Sequence, residues 1–202
     1  MTSDLRVGLF GLGKMGRNHL RVLSMLKSID LAFAFDTDPA AAAVAAAAGV
    51  PFLMRLPDGP LAIDAAVICT PTSTHADYVR AALERGVRRL FIEKPLAETV
   101  ERANTIAALC TDAGATVQVG FIERFNPAVQ ELRKIVEQSE RVVSIDFTRT
   151  NRVSARITDV DVITDLMIHD IDLALFLNGP VSGISAHGFH AAGAIEIASA
   201  PI

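Results

Sequence analysis

Residues 11–16 read Gly-Leu-Gly-Lys-Met-Gly, between an apolar run at 5–10 and a helical pattern at 14–27. Glycines at this spacing, at a strand-to-helix junction, restrict the fold more than any other feature of the chain. The first permits a tight turn, the second lets backbone approach a ligand, and the third lets the helix lie close to its sheet. The helix start then offers unpaired N–H groups and a partial positive charge, which suit a pyrophosphate. Alone, a glycine-rich turn is a weak signal. Here Asp36 closes the next apolar run, 31–35, twenty positions after Gly16, where a carboxylate accepts from adenosine ribose hydroxyls. Asp36 also opens the turn Asp36-Thr37-Asp38-Pro39, but the ribose role is the stronger reading. A carboxylate repels a 2′-phosphate and no arginine follows it, so NAD is favoured over NADP. Gly11, Leu12, Gly13, Lys14, Met15, Gly16, Asp36 and Thr37 are the first cofactor-binding candidates.

The elements that follow keep one rhythm. Helical pattern from residue 39, strand 65–69, helix 75–85 stopped by Gly86, strand 90–92, helix 99–113 and strand 116–119 alternate up to Gly120. Strand and helix in turn predict an α/β chain whose residues 1–120 form a Rossmann domain, a doubly wound parallel sheet. After Gly120 the pattern changes. A helix over 126–137 with Pro127 in its first turn, an alternating strand at 142–148, an apolar helix over 164–177 stopped by Asn178-Gly179-Pro180, and a strand within 181–189 predict a partial α+β domain over 121–202.

Composition removes other classes of function. The 202-residue chain has a net charge of −4, and it carries no Lys/Arg run that would mark a nucleic-acid site. Its longest apolar tract, 40–50, is mostly alanine and too short to span a bilayer. Residues 1–6 lack the regions of a signal peptide, and Cys69 and Cys110 each sit in an apolar segment. Buried free thiols, a cytoplasmic setting and no metal site are the expectation.

Three further segments fall just past strand ends, where ligands bind in such sheets. Thr70-Pro71-Thr72-Ser73-Thr74-His75 follows 65–69, Glu93-Lys94-Pro95 follows 90–92, and Asp165 and His169 lie four apart on one helix face. Singly each has a plain structural explanation: Lys94 as a solvated lysine, Asp165 and His169 as a helix-stabilising pair. Together GLGKMG, CTPTSTH, EKP and DLMIHDID, in this order over about residues 5–190, resemble the glucose–fructose oxidoreductase / inositol dehydrogenase / MocA family.

The resemblance implies an NAD-dependent oxidoreductase that oxidises a secondary hydroxyl of a sugar or nucleotide sugar. It puts catalysis on Lys94, Asp165 and His169. The chemistry is coherent: His169 serves as general base, an imidazole being suited to proton transfer near working pH, the Lys94 ammonium stabilises a developing alkoxide, and Asp165 orients the pair. The order in which Lys94 and His169 take the proton stays open. The resemblance also sets Thr70, Pro71, Thr72 and His75 along the nicotinamide half of the cofactor, beside Glu93 and Lys94. Pro95 favours extended backbone at Lys94. A narrower likeness, of residues 120–127 (GFIERFNP) and 156–160 (RITDV), is to UDP-N-acetylglucosamine 3-dehydrogenases. It implies that Arg124 and Asn126 line the substrate mouth and that Arg156 meets a diphosphate. Ordinary ion pairs are the alternative for both arginines.

Family members are usually longer and homo-oligomeric, with a large open sheet in the second domain. The stretch 191–202 is small and apolar without the charged alternation expected of strands, and reads as a truncated end. Without that sheet the helix at 164–177 is expected to keep part of its apolar face bare. Two other classes remain open on the sequence: a dinucleotide sensor without catalysis, and an inactive fragment.

Overall fold

Alternate residues of strand β1 (Leu5–Phe10) feed two different cores. Val7 and Leu9 join one, Phe10 the other. This period of two makes the sheet the middle layer of three. The computed structural model describes residues 4–150, 162–191 and 194–199, in two compact units, Met1–Gly120 and Phe121–Ile202.

In the first unit β1 is joined by β2 (Ile29–Phe35), β3 (Phe52–Leu53), β4 (Ala65–Ile68), β5 (Arg89–Ile92) and β6 (Thr116–Val119). All pair in parallel, in the order β3-β2-β1-β4-β5-β6. Helices α1 (Lys14–Met25) and α2 (Ala42–Ala47) cover the Leu9 face, where Leu20 and Ala45 pack against Leu9, Ala34 and Val67. Helices α3 (His75–Glu84) and α4 (Val100–Asp112) cover the other with Val79, Leu83 and Ile106. There Phe10 meets the rings of Phe33, Phe35 and Tyr78 at centroid distances of 5.7–6.1 Å. Each large apolar side chain so buried contributes about 1.5–3 kcal/mol before entropy is counted. Strand order reverses between β1 and β4, so the loops leaving their carboxyl ends part and open a crevice. The glycine turn and residues 70–75 are those loops.

The second unit holds α5 (Pro127–Gln138), a π-helical turn (Ile163–Met167) running into α6 (Ile168–Asn178), and an antiparallel hairpin of β7 (His187–Ala191) and β8 (Ala194–Ser199). Asn126 caps α5, its Oδ1 accepting from Ala128 N–H at 3.0 Å, and Pro127 occupies the first turn. Gly179, at φ +80°, ends α6.

The α/β class and the doubly wound parallel sheet agree with the sequence pattern. Two local expectations do not. Residues 142–148 form no strand, and Val143 is 86% exposed. Alternation supplies two faces but no ladder partner, and among the described residues β7 and β8 pair only with each other. The strand expected to begin within 181–189 does so at His187, as β7. Conversely, β8 forms in the stretch read as unlike a strand, because hairpin pairing with β7 satisfies its backbone.

Candidate functional site

The glycine turn is built by contacts that exclude side chains. Gly11 has φ +89°, and a Cβ there would stand 2.7 Å from the Cys69 carbonyl. A Cβ on Gly16 would lie 1.9 Å from the Gly11 carbonyl oxygen, so α1 can approach β1 only with glycine at that position. Gly13 differs: a Cβ there meets nothing within 4 Å. It is also the N-cap of α1, with no side-chain cap and no acidic residue in the first turn. The first N–H groups of α1 thus face an open space with no capping side chain of the helix against them.

Asp36, half-buried at the end of β2, locks this turn in place. Its Oδ2 accepts from Leu12 N–H at 2.7 Å and its Oδ1 from Asp38 N–H at 2.9 Å. A carboxylate has further lone pairs beyond these. Arg17 Nε donates to the Leu12 carbonyl at 3.0 Å from the helix side. Lys14 and Thr37 are exposed, and Met15 is half-buried.

Across the crevice, Thr72–Thr74 make a 3₁₀ turn with Thr74 Oγ1 2.7 Å from the Pro71 carbonyl and 3.0 Å from Thr70 Oγ1. His75 is only 1% exposed. Its Nε2 lies 3.0 Å from the Thr70 carbonyl and its Nδ1 3.1 Å from the Leu96 carbonyl. It therefore bridges two loops from beneath. Lys94 is half-buried, and its bond to Pro95 is cis.

Glu93 is 5% exposed and turns inward. Its Oε1 sits 2.6 Å from His19 Nε2, while its Oε2 accepts Lys94 N–H at 3.2 Å. Cys69 completes the group, with one ligating atom from each of His19, Cys69 and Glu93 inside 4.8 Å. Burial, then the Glu93 charge, pushes the Cys69 thiol up. Two ligands about 2.0 Å from a tetrahedral ion stand roughly 3.3 Å apart, well beyond the His19–Glu93 separation of 2.6 Å. At that separation His19 and Glu93 are within direct hydrogen-bond distance of each other, with the Cys69 sulfur beside them. His19 escaped the sequence reading. Its only signal there is a place one turn after Gly16.

In the second unit Asp165 lies in the π turn and His169 in the first turn of α6, both half-buried. The helix expected over 164–177 thus begins with a wide turn, a feature frequent at functional sites. Arg124 Nε and Nη2 grip Asp172 at 2.8 and 2.5 Å, and its guanidinium stands 5.1 Å from the Phe176 ring centroid. The Asp172 contact holds the Arg124 pKa above its usual range. Asn126 is engaged as the α5 cap, and its Nδ2 donates to Glu123 at 3.3 Å. The substrate roles of Arg124 and Asn126 accordingly rest on resemblance, since the structure gives both internal partners. Arg156 lies outside the described residues.

Known proteins resemble this chain in sequence and fold. The profile of the oxidoreductase family with an NAD-binding Rossmann fold matches residues 5–121. UDP-N-acetylglucosamine 3-dehydrogenase of Acidithiobacillus ferrooxidans is 36% identical over 176 residues, 87% of this chain and 55% of that protein. Inositol 2-dehydrogenase of Rhizobium meliloti is 35% identical over 191 residues, 88% of this chain and 57% of that protein. A solved structure of the A. ferrooxidans enzyme superposes with a TM-score of 0.80 at 31% identity, over 98% of this chain and 64% of that one. The chain spans just over half the length of these curated relatives. By profile, sequence and fold, it belongs to the Gfo/Idh/MocA family of oxidoreductases.

Proposed function

We propose that this protein is an NAD-dependent dehydrogenase that oxidises a secondary hydroxyl of a sugar nucleotide, the 3-hydroxyl of UDP-N-acetylglucosamine. One observation carries the cofactor half: the open cradle at Gly13, with uncapped α1 behind it and the Asp36 carboxylate at the end of β2. Residues 11–16, Asp36, Thr37, Thr70, Pro71, Thr72 and Lys94 contact the dinucleotide, and His75 and Glu93 hold its loops. Asp36, with no arginine after it, favours NAD over NADP. Support for the substrate comes from the A. ferrooxidans relative and from the segment 120–127.

Held by residues 11–16 and Asp36, a bound nicotinamide dinucleotide would supply the acceptor for the hydride of the carbinol carbon. His169 takes the hydroxyl proton, an imidazole being suited to proton transfer near neutral pH. Lys94 places its ammonium against the developing alkoxide, and a fixed cation there lowers the barrier most where water is excluded. Asp165 orients the proton acceptor and balances charge. Arg156 meets the diphosphate of the substrate, and the protein works in the cytoplasm.

Incubation with NAD and UDP-N-acetylglucosamine, followed by absorbance of the reduced nicotinamide, tests the reading. The expected result is turnover that disappears in Lys94→Ala and His169→Ala. Turnover of free inositol but not the UDP-sugar would overturn the substrate. NADH binding without turnover of any sugar overturns the dehydrogenase and leaves a dinucleotide sensor.

A further inference from the structure

We infer that His19 is a positioning residue: from the helix that opens the glycine turn it sets, through Glu93, the backbone that carries Lys94. The inference rests on the dinucleotide and Lys94 roles proposed above. A buried carboxylate persists only where donors meet it. The Glu93 side chain is 7% exposed, and its two oxygens divide between two parts of the fold. Oε1 faces His19 Nε2 on α1 at 2.6 Å; Oε2 takes the Lys94 backbone N–H at 3.2 Å. The helix behind the pyrophosphate cradle and the start of the lysine loop therefore share one acceptor.

The surroundings leave this acceptor little freedom. Glu93 N–H donates to the Ile68 carbonyl at 2.9 Å, fixing its backbone to the end of β4. A Cβ on Gly120 would stand 3.0 Å from Glu93 Oε2 and 3.1 Å from the Phe91 ring, so even an alanine would press on the carboxylate. The Phe91 ring meets the His19 imidazole edge-on at 5.1 Å, which holds the ring plane. A displacement of α1 as a ligand enters the cradle thus passes through His19 and Glu93 to the amide of Lys94.

Amide resonances of the full chain test this with ADP, which carries a diphosphate but no nicotinamide. In the unsubstituted protein, ADP shifts the amides of residues 11–16 and also that of Lys94. His19→Leu keeps contact with Phe91 but removes the donor. It binds ADP within about threefold of the parent, its Lys94 amide is displaced before ligand is added, and that amide no longer responds to ADP. His19→Gln, whose side-chain amide nitrogen stands in for Nε2, restores the response. Dispersed amides for Leu9 and Ile68 report that the sheet is intact. Should His19→Leu not fold, Glu93→Gln reports the same link, since its amide group cannot accept Lys94 N–H and His19 N–H together through both arms. A Lys94 amide that responds to ADP in His19→Leu as in the parent overturns the inference. Amides of 11–16 that ignore both ADP and NADH overturn the dinucleotide reading itself, a distinct outcome.

Discussion

Asp36 serves two partners at once. It ties the glycine turn through Leu12 N–H and the following turn through Asp38 N–H, and the proposed ribose contact adds to these. Asp36→Asn keeps the shape but loses the charge; NADH affinity is expected to fall about tenfold and the preference over NADPH to narrow, since charged acceptors bond more strongly. Fluorescence titration with both cofactors measures this. Cys69 gives a pH prediction. Its folded pKa is raised, so the native state keeps the proton after the unfolded chain has lost it. Stability is full below the unfolded thiol pKa and declines as pH rises above it. Iodoacetamide at pH about 8 should spare Cys69 in the native chain and label it once denatured. Arg124→Ala strands the buried Asp172 carboxylate, a loss on the order of 2 kcal/mol in chemical denaturation of the second unit. Roles at this scale were only partly legible in the sequence. The motif positions gave Asp36, Lys94 and His75 their places along the chain. Whether a side chain turns outward to a ligand, or inward as His75 and Glu93 do, depends on neighbours far away in sequence.

Two glycines of the same turn separate folding from binding at the scale of the strand–helix unit. A methyl group on Gly16 would collide with the Gly11 carbonyl, whereas one on Gly13 meets no protein atom. Gly16→Ala should therefore lower the thermal midpoint and abolish NADH binding together. Gly13→Ala should melt like the parent yet bind NADH at least tenfold more weakly, because its methyl occupies the cradle. Normal NADH affinity in a folded Gly13→Ala would sink the cradle. At this scale the first unit was readable because each buried strand and each amphipathic helix follows its own period. The two-residue β3 was not, being too short for any period to register. The expected strand at 142–148 failed for the opposite reason, since a period names a face and not a partner.

Across the whole molecule, burial is uneven. Both described core clusters lie in the first unit, while in the second the described buried residues are Val129, Asp172, Leu173, Ala174 and Leu177. Calorimetry should show two transitions, the second unit melting first. NADH at about a hundred times its dissociation constant should stabilise the later one by about 2.7 kcal/mol and leave the earlier in place. One transition that moves as a whole would mean that the units melt together. No helix among the described residues is long and apolar enough to cross a membrane. The uncapped start of α1 has one more effect, on how the protein meets its solvent. Oriented N–H groups with no acidic residue in the helix's own first turn attract small oxyanions. Sulfate and phosphate buffers then become competitive inhibitors of dinucleotide binding, and affinities measured in them will read weaker than in chloride of equal ionic strength.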